Sequence, residues 1–164
     1  MKKITFLFLA LILASCGVKQ TTNRLTSGDY DGAIESAVRG LRGNKNAKGK
    51  QDYVYLLEEA FAKAKERDLR NIETWSQDAN PANLEKIFNA YINLNNRQEL
   101  IRPLLPLKLL NEGRDAIFPM ENYSTEIVNS KNALSNFLYT NSKNELKTAN
   151  KLQECMDFQS SNNW

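Results

Sequence analysis

Asp52-Tyr53-Val54-Tyr55-Leu56-Leu57-Glu58-Glu59-Ala60-Phe61-Ala62-Lys63-Ala64-Lys65-Glu66-Arg67-Asp68-Leu69 is the stretch whose reading decides the fold. Tyr53, Leu56, Leu57, Ala60, Phe61, Ala64 and Leu69 recur at steps of three and four, and Ile72 and Trp75 extend the series. That spacing places them along one stripe of a helix running from Asp52 to about Gln77. Glu58, Glu59, Lys63, Lys65, Glu66 and Arg67 occupy much of the other face. A helix this long with one apolar side needs another helix to cover it, so the chain reads as mainly α.

The cover follows directly. Asn80-Pro81 is a helix start: asparagine is a good N-cap, and proline suits the first helical position because its missing N–H is not needed there. Leu84, Ile87, Phe88, Tyr91, Ile92 and Ile101 continue the buried side. A connection of about three residues makes the two helices an antiparallel pair. Pro103 ends the second one. From Leu104 to Pro119 the helical spacing stops. Leu107-Lys108-Leu109 and Ala116-Ile117-Phe118 flank Asn111-Glu112-Gly113, which predicts a short β-hairpin within 105–119, with Gly113 in the positive-φ position of the turn. A helical segment from Leu105 to Arg114 is the rival reading. Ser124 opens another helix, with Ile127, Val128, Leu134, Phe137 and Leu138 inward. Thr140-Asn141-Ser142 predicts a break, and a last helix over Glu145–Phe158 carries Leu146, Ala149, Leu152 and Met156 on one side. The polar residues 159–164 read as a frayed tail.

On the N-terminal side, Ala33, Ile34, Ala37, Val38 and Leu41 form one helical face after Gly28-Asp29-Tyr30, with Gly40 and Gly43 favouring its end. Asn44 to Gln51 reads as a solvated loop. Its cations, Lys45, Lys48 and Lys50 with nearby Arg42, are also of a kind that meets anionic headgroups. Residues 16–26 are short and polar and read as a tether. Before them, Lys2 and Lys3 precede an apolar run from Ile4 to Ala14, too short to span a bilayer as a helix. That is the layout of a secretory signal peptide over residues 1–15. The domain organisation expected is therefore signal, tether, a helical domain over 27–158, and tail.

Composition narrows the function. The chain has 164 residues, and 149 remain once the first 15 are removed, enough for one domain with a real core. Its net charge of +3 owes two units to Lys2 and Lys3; without them 20 basic side chains face 19 acidic ones. Charges of both signs are interspersed, so no nucleic-acid footprint is expected. There is no histidine, the commonest general base and metal ligand. No glycine-rich phosphate loop, metal spacing or nucleophile elbow appears, and Glu58, Glu59 and Glu121 read as ordinary solvated carboxylates. The chain is expected to be no enzyme, and to need no cofactor or metal. Of the two cysteines, Cys155 reads as a small, partly buried helix residue without a disulfide partner.

Leu13-Ala14-Ser15-Cys16 resembles the bacterial lipobox. That resemblance implies cleavage before Cys16, acylation of its thiol, and anchorage to a lipid bilayer. Residues 28–46 resemble the second helix of a tetratricopeptide repeat: glycine before an aromatic, the Ala33-Ile34 pair, then a small residue and leucine. Together with the Leu57-Glu58-Glu59-Ala60-Phe61 run and Arg102-Pro103-Leu104-Leu105-Pro106-Leu107, the chain is similar to helical-repeat lipoproteins of Bacteroidota over most of residues 1–155. Some of that group carry an acidic surface-export signal after the cysteine. Gly17-Val18-Lys19-Gln20 has none, which implies the periplasmic side of the outer membrane. The function implied is a non-catalytic protein-interaction module of the cell envelope, whose partner is another envelope protein. A structural or assembly role, or an enzyme with an unfamiliar site, is the alternative. Tyr55 and Trp75 are the side chains expected to reach outward to a partner, since amphipathic rings concentrate at interfaces.

Overall fold

The computed structural model describes residues 17–161, with side chains as far as 158. The signal peptide, Cys16 and residues 162–164 of the tail lie outside the described residues. The chain is mainly helical with one small antiparallel hairpin. In order it contains α1 (residues 17–26), α2 (Tyr30–Leu41), a 3₁₀ turn (Lys48–Lys50), α3 (Gln51–Gln77), α4 (Asn83–Ile101), a second 3₁₀ turn (Arg102–Leu104), β1 (Lys108–Leu109), β2 (Arg114–Asp115) and α5 (Ser124–Ser161). No helix among the described residues is long and apolar enough to cross a membrane.

The first correction falls on the tether: residues 17–26 are helical and packed. Its threonines do not break the helix, because each hydroxyl bonds back to a carbonyl one turn earlier: Thr21 to Gly17 O at 2.9 Å, Thr22 to Val18 O at 3.0 Å. Thr21 is fully buried, with its hydroxyl 2.7 Å from that of Ser36 on α2. Leu25 joins the main core. The turn between the helices uses Gly28 at φ +83°, and Asp29 caps α2 by accepting from Gly32 N–H at 3.0 Å. Gly40 does not end α2. It sits inside the helix, where a Cβ would come within 2.7 Å of the Tyr53 ring, so its missing side chain is what lets α3 approach. Gly43, at φ +90°, follows the end.

α3 is the spine. Val54, Leu57, Ala60, Phe61 and Ala64 are buried against α2, the end of α4 and the hairpin segment, together with Ile34, Leu41, Ile101, Leu107 and Phe118. Farther along, Ile72 joins Ala90, Leu94 and Tyr123 in a second cluster. The stripe read from sequence needs two changes. Val54 belongs to it, while Leu69 is exposed and its place is taken by Asp68, 6% exposed. α4 begins at Asn83, later than expected, because the Asn80 side chain accepts from Ala82 N–H at 3.0 Å and closes a turn of its own. Its buried face runs through Ala90, Leu94, Arg97, Gln98 and Ile101, and leaves Leu84, Ile87, Phe88, Tyr91 and Ile92 half-buried.

The hairpin is present. Lys108 pairs with Asp115 and Leu109 with Arg114, and Gly113 takes φ +65°. Charged residues of α3 hold it down. Glu58 accepts from Arg114 Nη1 at 2.7 Å and from Ile117 N–H at 2.6 Å; Lys65 donates to Pro119 O at 3.2 Å and to Glu121 at 2.6 Å. Gln98 clasps Glu121 in both directions, donating to its carbonyl at 3.0 Å and accepting from its N–H at 2.6 Å. Lys45 donates to Leu104 O at 2.6 Å, so this loop cation is tied into the fold.

The second correction concerns the C-terminal part. The predicted break at Thr140-Asn141-Ser142 is absent, and α5 is one helix of 38 residues that runs through Ser161, three residues into the expected tail. None of the three is glycine or proline, so each costs only tenths of a kcal/mol in an exposed helix. Asn141 supports the next turn by donating to Glu145 at 2.9 Å.

Candidate functional site

Neither expected contact residue stands free. Tyr55 is half-buried at the edge of the main core, where burial and then a hydrogen bond to Glu112 push its hydroxyl pKa up. Trp75 is half-buried against the second cluster, with the Lys86 ammonium 5.7 Å from its ring centroid. Both are part of the packing. Cys16 lies outside the described residues.

The densest charge cluster lies between the two apolar clusters. Along α3, Asp68 falls one turn after Ala64 and one before Ile72; along α4, Arg97 falls between Leu94 and Ile101. Asp68 and Arg97 pair with each other while almost wholly buried, their side chains 8% and 6% exposed. Arg97 also bonds Asp31 of α2, which takes Arg67 at 3.0 Å, and Arg67 reaches Asp68 at 2.8 Å. Three helices are thus locked by two acids and two arginines. Burial raises the Asp31 pKa, but the Arg97 and Arg67 guanidiniums outweigh it and hold the carboxyl below its ordinary value. Arg114 does the same to Glu58, against the effect of burial. Lys65 and the Tyr123 hydroxyl depress Glu121.

A carboxylate held low stays ionised across the neutral range, so these acids hold cations and backbone rather than sit poised to exchange a proton near pH 7. An open cleft of about 340 Å³ borders the network, lined by Asp31, Glu35, Asn93, Asn96 and Arg97. No group of three or more potential ligands that could hold a metal ion occurs among the described residues.

The titration has a definite sign. Folded-state values below the unfolded ones mean that stability is fully present above the unfolded carboxylate pKa, near ~4, and is lost as pH falls through the depressed values. With no histidine in the chain, the urea midpoint is expected to be level from pH 7 to pH 5 and to fall below ~4. A midpoint that already drops between pH 7 and 5 would contradict this account.

The surface unlike the rest is the C-terminal half of α5. Its first turns pack on α4: Ile127 reaches the second cluster, and the Tyr123 ring lies 6.1 Å from that of Tyr91. Beyond α4 the helix continues with Leu138, Leu146, Leu152, Met156 and Phe158 between 53% and 70% exposed. Sequence spacing had marked most of these as an inward side. The structure leaves Leu138, Leu146, Leu152 and Met156 more than half exposed among the described residues. Comparison with family models, curated proteins and solved structures finds no match to this chain.

Proposed function

We propose that this protein is a lipid-anchored module of the bacterial envelope that works by holding a partner, and that the exposed half of α5 is the surface that holds it. The observation that carries the reading is the run of large apolar side chains on that helix, each more than half exposed. Leu138, Leu152 and Met156 fall along one side of the helix, and an apolar stripe left in water marks a surface that something binds. Anchorage rests on the lipobox-like stretch before Cys16 and on the charged, then apolar, leader. The acids with shifted pKa values support the same view, since each is engaged by a guanidinium, ammonium or backbone donor.

The test is in cells, on the full chain. A photo-crosslinking residue at Leu146 or Leu152 is expected to give adducts, and one at Lys147, on the opposite side of the helix, is not. A fatty-acid probe should label the wild type and not Cys16→Ser. Equal adducts from all three positions, or label retained by Cys16→Ser, would refute the corresponding half of the proposal.

A further inference from the structure

One stretch departs from the interspersed charge of the rest of the chain. Between Glu35 and Asp52 lie sixteen residues with five cations, Arg39, Arg42, Lys45, Lys48 and Lys50, and no carboxylate. None of the five enters an ion pair among the described residues. Two are tied to neutral groups instead. Lys45 donates to the carbonyls of Leu104 and Leu105, at 2.6 and 3.2 Å, and Lys50 donates to that of Arg42 at 3.2 Å. A carbonyl oxygen fixes an ammonium in place without cancelling its charge, so the fold holds this loop positive. Lys108 of the hairpin lines an open cleft together with Lys45 and extends the patch. Arg39, Arg42, Lys48 and Lys108 are exposed.

The described chain begins at the same end of the molecule. α1 runs antiparallel to α2: Arg24 donates to Gly32 O at 3.0 Å, and the Thr21 and Ser36 hydroxyls lie 2.7 Å apart. Gly17 thereby comes level with Gly40. The Tyr53 side chain marks that level, since a Cβ on either glycine would strike it. Cys16 is joined to Gly17, with about 3.8 Å between their Cα atoms, and Arg42 follows Gly40 by two residues. An acyl group on Cys16 would therefore enter a bilayer beside the cationic loop. α5 points the other way. Gln98 meets Glu121 and Tyr91 meets Tyr123, so α5 runs antiparallel to α4. α4 finishes at the cationic end, where Lys45 holds Leu104. The exposed half of α5 is thus carried away from that end.

We infer that the face formed by Arg39, Arg42, Lys45, Lys48, Lys50 and Lys108 rests on the anionic phospholipid headgroups of the membrane that holds Cys16, and so directs α5 away from the bilayer. The inference rests on the reading of Cys16 as the anchor. An acyl chain and a polybasic patch reinforce one another, because the chain keeps the cations within a Debye length, about 8 Å, of the headgroups.

The test uses the protein as cells make it, extracted from their membranes and reconstituted into vesicles. Cys155, expected to be partly buried, is exposed, so it is replaced by serine. A fluorescent label is then placed through Asn46→Cys in the cationic loop, or through Ala79→Cys in the turn between α3 and α4. In vesicles of equal parts phosphatidylcholine and phosphatidylglycerol, a headgroup-bound quencher should quench the label at position 46 and spare the one at 79. In phosphatidylcholine alone the quenching at 46 should fall several-fold. Arg42→Glu with Lys48→Glu should lower it as much in the anionic vesicles; neither side chain is held by another among the described residues, so the packing is left intact. Lys147→Glu with Lys151→Glu, the same change of charge on α5, should leave it unchanged. Quenching at 46 that ignores both lipid charge and the loop substitutions overturns the inference, as does equal quenching at 46 and 79. Either result leaves the anchor standing. In cells, a photo-crosslinker at position 46 should label lipid; adducts to a protein instead would assign this face to an acidic partner and overturn the inference as well. Flotation reads the anchor separately: protein that floats with neither kind of vesicle defeats the anchorage and the inference together.

Discussion

Asp68→Ala is expected to destabilise the fold by ~3–5 kcal/mol, the usual cost of leaving one member of a buried ion pair without its partner. Arg97, with 6% of its side chain exposed and one guanidinium nitrogen already unpaired, would keep only the half-exposed Asp31 as a carboxylate partner. Urea unfolding followed by circular dichroism measures the loss. The pair is not expected to be worth that much in itself. Taking two charges out of water offsets most of their attraction, so replacing both at once, Asp68→Leu with Arg97→Met, should recover most of what the single change costs. A single variant within ~1 kcal/mol of the wild type would mean that water reaches Arg97 and that the network is a surface feature. A double variant no better than the single would assign Arg97 a second buried role through Asp31.

Phe61→Ala should cost ~3–5 kcal/mol, as large-to-small changes of buried aromatic residues do. Phe61 is 2% exposed and meets the Phe118 ring edge-on, with centroids 5.5 Å apart. It is the point where α3 receives the segment after the hairpin. Its loss should therefore appear first as faster amide exchange at Ile117, whose N–H donates to Glu58 only while that segment is docked. Phe61→Leu retains most of the volume and should cost less than half as much. Uniform loosening of the whole chain, without earlier exchange at Ile117, would show that the ring pair does not anchor the hairpin.

These two residues differ in how far sequence could foretell them. Phe61 was legible: it sits in a run of apolar residues spaced three and four apart, and that periodicity reflects burial directly. Asp68 was not. It is surrounded by other charges on α3, and nothing in its neighbourhood says that Arg97, 29 positions away, will neutralise it. Glu58 and Lys65 belong with Asp68. They read as the solvated side of α3, yet they dock the hairpin, because a polar side chain faces whatever donor or acceptor the chain brings back to it. The tether failed for a related reason. Residues 17–26 have too few apolar residues to read as a packed helix, but Thr21 finds Ser36 and Gly17 O, and a satisfied hydroxyl is as well buried as a methyl.

Local chemistry thus determined what depends on neighbours in sequence: the α3 and α4 periodicities, the short link that makes them antiparallel, and Gly113 in the hairpin turn. Tertiary structure alone decided what depends on distant partners. It set Asp68 inward in place of Leu69, tucked Tyr55 and Trp75 into the packing, and fixed the point along α5 where α4 ends. The face of α5 has one spacing throughout its length. Which part of it is core and which part is surface is settled only by where the neighbouring helix stops, and a one-dimensional pattern does not carry that information.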